Sequence, residues 1–131
     1  MKRFGEPVTP LGTFEEQVML AVLRTGTAAY GMSVRRELEE VTGRSITIGS
    51  VYATLDRLEA KGLVSSSRAA KDENASRRVF TVTPEGARCL VETKAMRERL
   101  WQGIGSVRVQ RRGSRSTGIV FGLLPVSRRL G

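Results

Sequence analysis

The sequence contains no histidine and only one cysteine, Cys89. The lack of histidine excludes Ser-His-Asp and Cys-His catalysis and every histidine-based metal site. A single cysteine forms neither an internal disulfide nor a cysteine-rich zinc site, and an unpaired thiol is typical of the reducing cytosol. We therefore expect no metal and no cofactor, and a binding protein rather than an enzyme.

Aromatic residues and long apolar runs are also scarce. An aromatic content of 5% argues against a protein that stacks single-stranded bases on its side chains. The chain has no apolar run of about 20 residues and no apolar stretch behind its first basic residues, so we expect a cytoplasmic protein without a membrane partner. Hydrophobic residues make up 40% of the 131 residues, which is enough for one folded domain.

Acidic residues are absent from the last part of the chain. Residues 104–131 contain six arginines and no acid, a charge of +6 that leaves only +3 of the total +9 for residues 1–103. A basic chain points to nucleic acid as its partner. Most of the excess charge is in the tail, however. In the folded part, the position of the charges indicates a nucleic-acid partner better than their sum does.

Hydrophobic spacing and breaker residues predict six elements. A capping box of Thr13 and Glu16 begins the first helix, and Thr83 followed by Pro84 begins the last. Gly26, Gly43 and Gly62 are the predicted helix stops. The predicted helices are 13–25, 30–42, 47–61 and 84–102, and the strands are 63–68 and 77–82. The order α-α-α-β-β-α predicts a mainly α (α+β) winged helix-turn-helix fold with a long C-terminal dimerisation helix.

This order also predicts the division of the chain. The expected segments are an N-terminal arm at 1–12, a winged-helix domain at 13–83, a dimerisation helix at 84–103 and a basic, disordered tail at 104–131. A functional DNA-binding tail is the alternative for the last segment. The predicted buried stripe of the first helix is Phe14, Val18, Ala21 and Val22, widened by Leu20 and Leu23. The stripe of the second helix is Tyr30, Val34, Leu38 and Val41, and that of the third is Val51, Leu55 and Leu58.

The third helix carries the functional pattern. Its outer face is small at Gly49, Ser50 and Ala53, so the helix could lie deep in a DNA major groove. Hydroxyls for phosphate or base contact come from Ser45, Thr47, Ser50 and Tyr52, and the hairpin adds the cations of Arg68, Lys71, Arg77 and Arg78. Each of these residues also has an alternative interpretation. Thr47 could be a simple cap, Tyr52 could pack on the second helix, and the adjacent Arg77 and Arg78 could form a solvated strand edge.

Three blocks of the sequence resemble the PadR family of transcriptional regulators. They are the pieces of residues 11–39 that read LGTFEE, LAVL, AYG and RELE, the block at 45–64 and the block at 77–86. The resemblance implies a homodimeric winged-helix regulator, usually a repressor, whose last helix swaps packing with its partner. It places Tyr52 on the recognition-helix tyrosine of the family, and Thr47, Ser50 and Thr54 on DNA-facing positions. The sequence departs from the family at Ala75, Ser76 and Val79 and in the tail.

Together these observations predict a sequence-specific repressor that binds a pseudo-palindromic operator in double-stranded DNA as a homodimer. Helix 47–61 would enter the major groove and hairpin 63–83 would form the wing. The predicted DNA-binding residues are Ser45, Thr47, Gly49, Ser50, Tyr52, Ala53, Thr54, Arg57, Arg68, Lys71, Arg77 and Arg78. The alternatives are a winged helix that binds proteins and a basic RNA-binding protein, although double-stranded RNA has a major groove too narrow for a helix.

Large apolar side chains of the last helix predict the dimer interface. Leu90, Leu100 and Trp101 have no obvious place in a core this small, so we expect them between two subunits. The predicted interface or effector residues are Phe14, Leu90, Met96, Leu100 and Trp101. In some relatives of this family a flat apolar compound lies between the two last helices. The family resemblance therefore implies a possible small aromatic effector beside Trp101. The alternative is that Trp101 only packs against other side chains.

Overall fold

The computed structural model describes residues 9–68, 77–110 and 120–123. The chain divides into two compact units, the first ending at Thr93 and the second beginning at Lys94. The elements up to the C-terminal helix are α1 (Thr13–Thr25), a 3-10 turn (Gly26–Ala28), α2 (Gly31–Thr42), α3 (Ile48–Ala60), β1 (Val64–Arg68), β2 (Arg78–Val82) and α4 (Pro84–Trp101). This order confirms the predicted winged helix-turn-helix, with each element within two residues of its predicted limits.

The N-terminal cap of α1 differs from the prediction by one residue. Gly12 is the capping residue, and its backbone N–H donates to Glu15 Oε1 at 3.1 Å. Thr13 is already part of the helix, so the predicted pairing of Thr13 with Glu16 is wrong. The carboxylate that reaches back to the cap belongs to Glu15, the third residue after Gly12. At α4 the prediction is confirmed, because Thr83 Oγ1 accepts from the N–H of Gly86 at 3.0 Å.

The core lies between the first three helices. Val18, Val34, Val51, Leu55 and Leu58 are fully buried there, as the helical spacing predicts. Parts of both predicted stripes are wrong: Leu20 and Leu23 of the first helix are 42% and 54% exposed, and Val41 of the second is 58% exposed. These three side chains line an open apolar groove between α1 and α2. Because α1 packs against its neighbours along one strip only, residues at the edge of that strip stay in contact with water.

The hairpin is fixed to the helices through its backbone. β1 and β2 pair antiparallel, with Val64 opposite Val82 and Arg68 opposite Arg78. The N–H of Phe80 donates to the carbonyl of Ala29 at 2.9 Å, so the segment before α2 adds a backbone contact to β2. The Phe80 side chain is 1% exposed. Burial of this ring and the backbone bond together hold the base of the wing against the helical core.

The first half of α4 packs against the winged helix. Gly86 approaches so closely that a Cβ there would collide with the carbonyl oxygen of Leu63 and lie 2.9 Å from Met19 Cε. Leu90 is only 8% exposed and belongs to the core of its own chain. Its predicted place in a subunit interface is therefore wrong, because the first turns of α4 find their apolar partners inside the same chain.

A second hairpin follows α4. β3 (Val107–Gln110) and β4 (Val120–Leu123) pair antiparallel, with Val107 opposite Leu123. The predicted disordered tail is thus wrong for these two segments, in which β-branched and aromatic residues favour extended backbone. Residues 111–119 and 124–131 of the tail, and 1–8 of the predicted arm, lie outside the described residues.

A charged cluster joins the start of α1 to the end of α3. Glu15 Oε2 lies 2.9 Å from Lys61 Nζ and 3.5 Å from Arg57 Nε. Burial alone would raise the pKa of Glu15, but hydrogen bonds from Lys61, Gly12 and Arg57 and the charge of Lys61 lower the pKa below 4.5. Glu15 is consequently a carboxylate whose ionised form the fold stabilises.

A buried hydrogen bond ties the N-terminal segment to α4, and its removal should weaken the fold. The N–H of Leu11 donates to Thr93 Oγ1 at 3.1 Å, and Thr93 is 1% exposed. Thr93→Val keeps the shape but leaves this N–H without its acceptor, at an expected cost of about 1–3 kcal/mol in unfolding free energy. Urea denaturation measures the loss, with the exposed Thr81→Val as control; equal stability of both variants would contradict the prediction.

The Glu15 cluster should stabilise the protein only above a certain pH. Because the folded-state pKa of Glu15 is lowered from 4.5, its stabilisation is present above that value and is lost as the pH falls through the folded-state pKa. Glu15→Gln should lower the unfolding free energy by about 1 kcal/mol at neutral pH, since both cationic partners are half exposed. Urea titrations of both proteins should converge on acidification. Glu40→Gln removes an exposed carboxylate from α2 and serves as the charge control; a Glu15→Gln deficit that persists at acid pH would refute the assignment.

Candidate nucleic-acid interface

The N-terminal half of α3 is exposed on its outer side. Thr47 caps the helix by accepting the N–H of Ser50 at 3.2 Å, and the Ser50 hydroxyl donates to the Thr47 carbonyl at 2.8 Å. Gly49, Ser50 and Ala53 are all exposed, as is Ser45 just before the cap. Thr47 therefore has the structural role that was its alternative interpretation, and both hydroxyl oxygens keep lone pairs for another donor.

Thr54 does not share this surface. It is 2% exposed and accepts a hydrogen bond from Arg57 Nη2 at 3.4 Å. Its DNA-facing position, taken from the family resemblance, is therefore wrong for this chain. Thr54 lies three residues after Val51 and four before Leu58, so the helical period turns it towards the core with those two buried side chains.

Tyr52 connects α3 to the start of α2. The hydroxyl end of its ring fills the space beside Gly31, where a Cβ would lie 2.5 Å from Tyr52 Oη and 2.6 Å from Cε1. The residue nevertheless remains 38% exposed. The packing of Tyr52 on the second helix is therefore confirmed. Its contact with DNA stays a prediction, for which the exposed part of the residue leaves room.

Arg77 and Tyr30 lie beside this contact. The guanidinium carbon of Arg77 is 4.4 Å from the centre of the Tyr30 ring, a cation–π distance. Tyr30, Tyr52 and Arg77 line a surface pocket of about 350 Å³; its other lining residues are Ala28, Met32, Ser33 and Arg36. This pocket brings together the wing, the start of α2 and the exposed half of α3.

Arg78 has a different role from its neighbour. Its Nη2 lies 2.7 Å from Glu59 Oε1 and its Nη1 lies 3.1 Å from Asp56 Oδ1. Ser66 of β1 donates to Glu59 Oε2 at 2.9 Å. Arg78 is thus held by two carboxylates of α3, which argues against the predicted phosphate contact and gives it a structural role between wing and helix.

The remaining predicted cations fall into three groups. Arg57 is exposed but pairs with Glu15, as described above. Arg68 is exposed at the end of β1, opposite Arg78 in the hairpin. Lys71 lies outside the described residues. Arg68 and Arg77 are both exposed at the base of the wing. Arg57 and Arg78 pair with acids of the same chain.

The other predicted interface residues divide between core and surface. Phe14 is half-buried and packs against the core, and Met96 is half-buried on α4. Leu100 and Trp101 are 68% and 60% exposed at the end of α4. Within the described parts of the chain, no group of three or more histidine, cysteine, aspartate or glutamate residues is arranged to hold a metal ion.

Sequence reasoning missed the role of Gly31 and the partners of the charged groups. Gly31 stands at a helix start, where a glycine has no local signal of a packing role. Lys61 and Glu15 are 46 residues apart, and Arg78 and Glu59 are 19 apart, so neither pair follows from helical spacing. No helix among the described residues is both long and apolar enough to cross a membrane.

Several known proteins are similar to this chain in sequence or in fold. The chain is 41% identical over 71 residues to the transcriptional regulator Rv3488 of Mycobacterium tuberculosis, a match of 54% of this chain and 64% of that protein. The chain thus spans less than two thirds of this relative. The structure of a PadR-like transcription factor from Bacteroides fragilis matches with a TM-score of 0.60 and 26% identity, over 68% of this chain and 84% of that one.

A third similarity concerns the fold alone. F93 from STIV, a winged-helix DNA-binding protein, matches with a TM-score of 0.58 and 14% identity, over 72% of this chain and 97% of that one. The family model described as transcriptional regulator PadR-like matches residues 19–92, which is more than half of the sequence and includes α2, α3 and both wing strands. This winged-helix chain therefore belongs to the PadR-like family of transcriptional regulators.

Proposed function

We propose that the protein is a homodimeric repressor that binds a specific sequence in double-stranded DNA. α3 enters the major groove and the β1–β2 hairpin is the wing. The observation that carries this proposal is the exposed N-terminal half of α3, where Gly49, Ser50 and Ala53 leave the helix backbone accessible. A major groove about 12 Å wide admits a helix, and small residues allow the closest approach to the base edges.

The charges around α3 support the same function. Residues 44–55, which lead into and form its exposed half, contain no acid. The two carboxylates further along the helix, Asp56 and Glu59, both pair with Arg78. Arg78 therefore offsets part of the negative charge near the proposed DNA surface. Arg68 and Arg77 add cations on the wing, where they would contact phosphates without reading the sequence.

The end of α4 supports a dimer. Leu100 and Trp101 are large apolar side chains that lie mostly in water in a single chain. Aromatic residues of this kind are enriched in the buried centre of protein interfaces. We propose residues 84–103 as the dimerisation helix, so that two copies present their α3 helices to half-sites one or two turns of DNA apart. A small aromatic effector, if one binds, would lie against Trp101.

The proposed dimer also assigns roles to the other segments of the chain. We propose that residues 13–83 form the DNA-binding domain and that residues 1–12 form an arm before it. The arginines of residues 104–131 could strengthen binding to any DNA through phosphates, with no part in the choice of sequence.

A salt titration distinguishes the contribution of α3, the proposed reading surface, to DNA binding from that of the basic tail. An operator is first selected from a random duplex pool with the full chain, and a scrambled duplex serves as reference. The double variant Ser50→Ala/Tyr52→Ala should lose the preference for the operator by about tenfold or more, because direct base contacts are each worth about 1–3 kcal/mol. Its salt-sensitive binding to the scrambled duplex should persist. Thr13→Ala removes an exposed hydroxyl from α1 and is the control.

Deletion of residues 104–131 should leave the operator preference intact. Every phosphate that the tail neutralises adds about 0.9 to the steepness of log affinity against log salt, so the deletion should flatten that slope by the same amount per phosphate. A tail deletion that abolishes the preference, together with a double variant that keeps it, would show that α3 is not the reading surface.

The dimer proposal makes a prediction for Trp101. Trp101→Ala should weaken dimerisation by about 2–4 kcal/mol, the usual effect of removing a central aromatic anchor. Sedimentation velocity over a concentration series measures the association constant. Leu23→Ala, which changes a similarly exposed apolar residue on α1, should leave the constant unchanged. A wild-type chain that sediments as a monomer at micromolar concentration would contradict the proposed dimer.

A further inference from the structure

The contact between Gly31 and Tyr52 joins the two helices of the helix-turn-helix at one point. Gly31 is the first residue of α2 and is buried, and the atoms nearest to its missing side chain all belong to the hydroxyl end of Tyr52. Tyr52 itself is in the exposed half of α3. The absence of a side chain at position 31 therefore decides where the end of an exposed aromatic residue lies.

The surroundings of Gly31 are fixed by other bonds. The N–H of Tyr30 donates to Ser33 Oγ at 2.9 Å, and the Ser33 hydroxyl donates back to the Ala28 carbonyl. Arg77 lies over the Tyr30 ring at 4.4 Å. The start of α2 thus contacts both the wing, through Arg77, and the Tyr52 ring.

We propose that Gly31 is a positioning residue for DNA recognition, acting through Tyr52. This inference rests on the proposed function. The bare backbone at Gly31 seats the Tyr52 ring against α2. In this position the exposed part of Tyr52 contacts DNA beside Gly49 and Ser50 without covering those two residues. A side chain at position 31 would displace the ring into the space that the DNA has to occupy.

Alanine at position 31 should move the ring and keep the fold. Gly31 has ordinary helical backbone, which alanine adopts without strain. The three heavy atoms nearest to its Cβ would all belong to the far end of Tyr52, and that side chain has solvent to turn into. The cheapest adjustment is a rotation of Tyr52 rather than a shift of either helix.

A double-mutant cycle tests whether Gly31 acts through Tyr52. Gly31→Ala, Tyr52→Ala and the combined variant are titrated with the operator selected by the wild-type chain and with a scrambled duplex. Gly31→Ala should weaken operator binding by about tenfold when Tyr52 is present and by less than about twofold when residue 52 is alanine. Binding to the scrambled duplex should change by less than about twofold throughout. Gly12→Ala, also at a helix start but with room for a Cβ, is the matched control.

Two readouts check the mechanism without DNA. The chain has only two tyrosines, so the ring signals of Tyr52 are readily assigned by NMR. The wild-type protein should show nuclear Overhauser effects between the Tyr52 ring and the Gly31 α-protons, and these effects should be absent or much weaker at residue 31 in Gly31→Ala. Thermal unfolding should show the same midpoint for both proteins to within a few degrees.

Each remaining outcome decides against the inference. An equal loss of operator affinity with and without the Tyr52 ring would mean that Gly31 acts by another route. Unfolding of Gly31→Ala would mean that the added Cβ displaces the core and not the ring. If the wild-type chain selects an operator and Gly31→Ala binds it equally well, the inference alone fails. If the wild-type chain selects no sequence, the proposed function fails and the inference fails with it.

Discussion

The structure depends on the division of α3 into a buried side and a bare side. Val51, Leu55 and Leu58 are fully buried and fix the helix against α1 and α2. This packing leaves Gly49, Ser50 and Ala53 on the outside without any need to stabilise the fold. Because the inner side supplies the stability, the outer side can consist of small residues that contribute little to the core. A surface of that kind suits close contact with another macromolecule.

Charge placement around this helix follows the same division. The carboxylates near α3 are paired with cations of the same chain: Glu15 with Lys61 and Arg57, and Asp56 and Glu59 with Arg78. These pairs contribute only modestly to stability, since most of the groups are partly exposed. Their larger effect is on the electrostatic potential of the surface, where they cancel negative charge that would repel a polyanion. Arg68 and Arg77 are further cations exposed at the base of the wing.

Local patterns in the sequence were sufficient for the elements and for the family. The strands, the helices and the glycine stops have short-range signals, and the buried positions of α3 follow from the helical period. The errors arose where the answer depends on packing between distant segments. Leu90 was assigned to a subunit interface because the sequence does not show that α4 packs on Leu63 of the same chain. Leu20, Leu23 and Val41 were predicted to be buried because helical spacing does not give the width of the contact between α1 and α2. Thr54 is the opposite case: its spacing from Val51 agrees with its burial, whereas its predicted DNA-facing position came from the family resemblance.

The two adjacent arginines of the wing have a consequence for how such a chain can change over evolution. Arg77 stacks on Tyr30 while Arg78 pairs with the carboxylates of α3, and neighbouring residues of a strand point to opposite faces. One residue inserted between this pair and Phe80 would exchange the two environments and break both contacts at once. Changes in the number of residues between Arg68 and Arg77 would leave both contacts where they are. The segment between Arg68 and Arg77 can therefore vary in length while the base of the wing stays fixed.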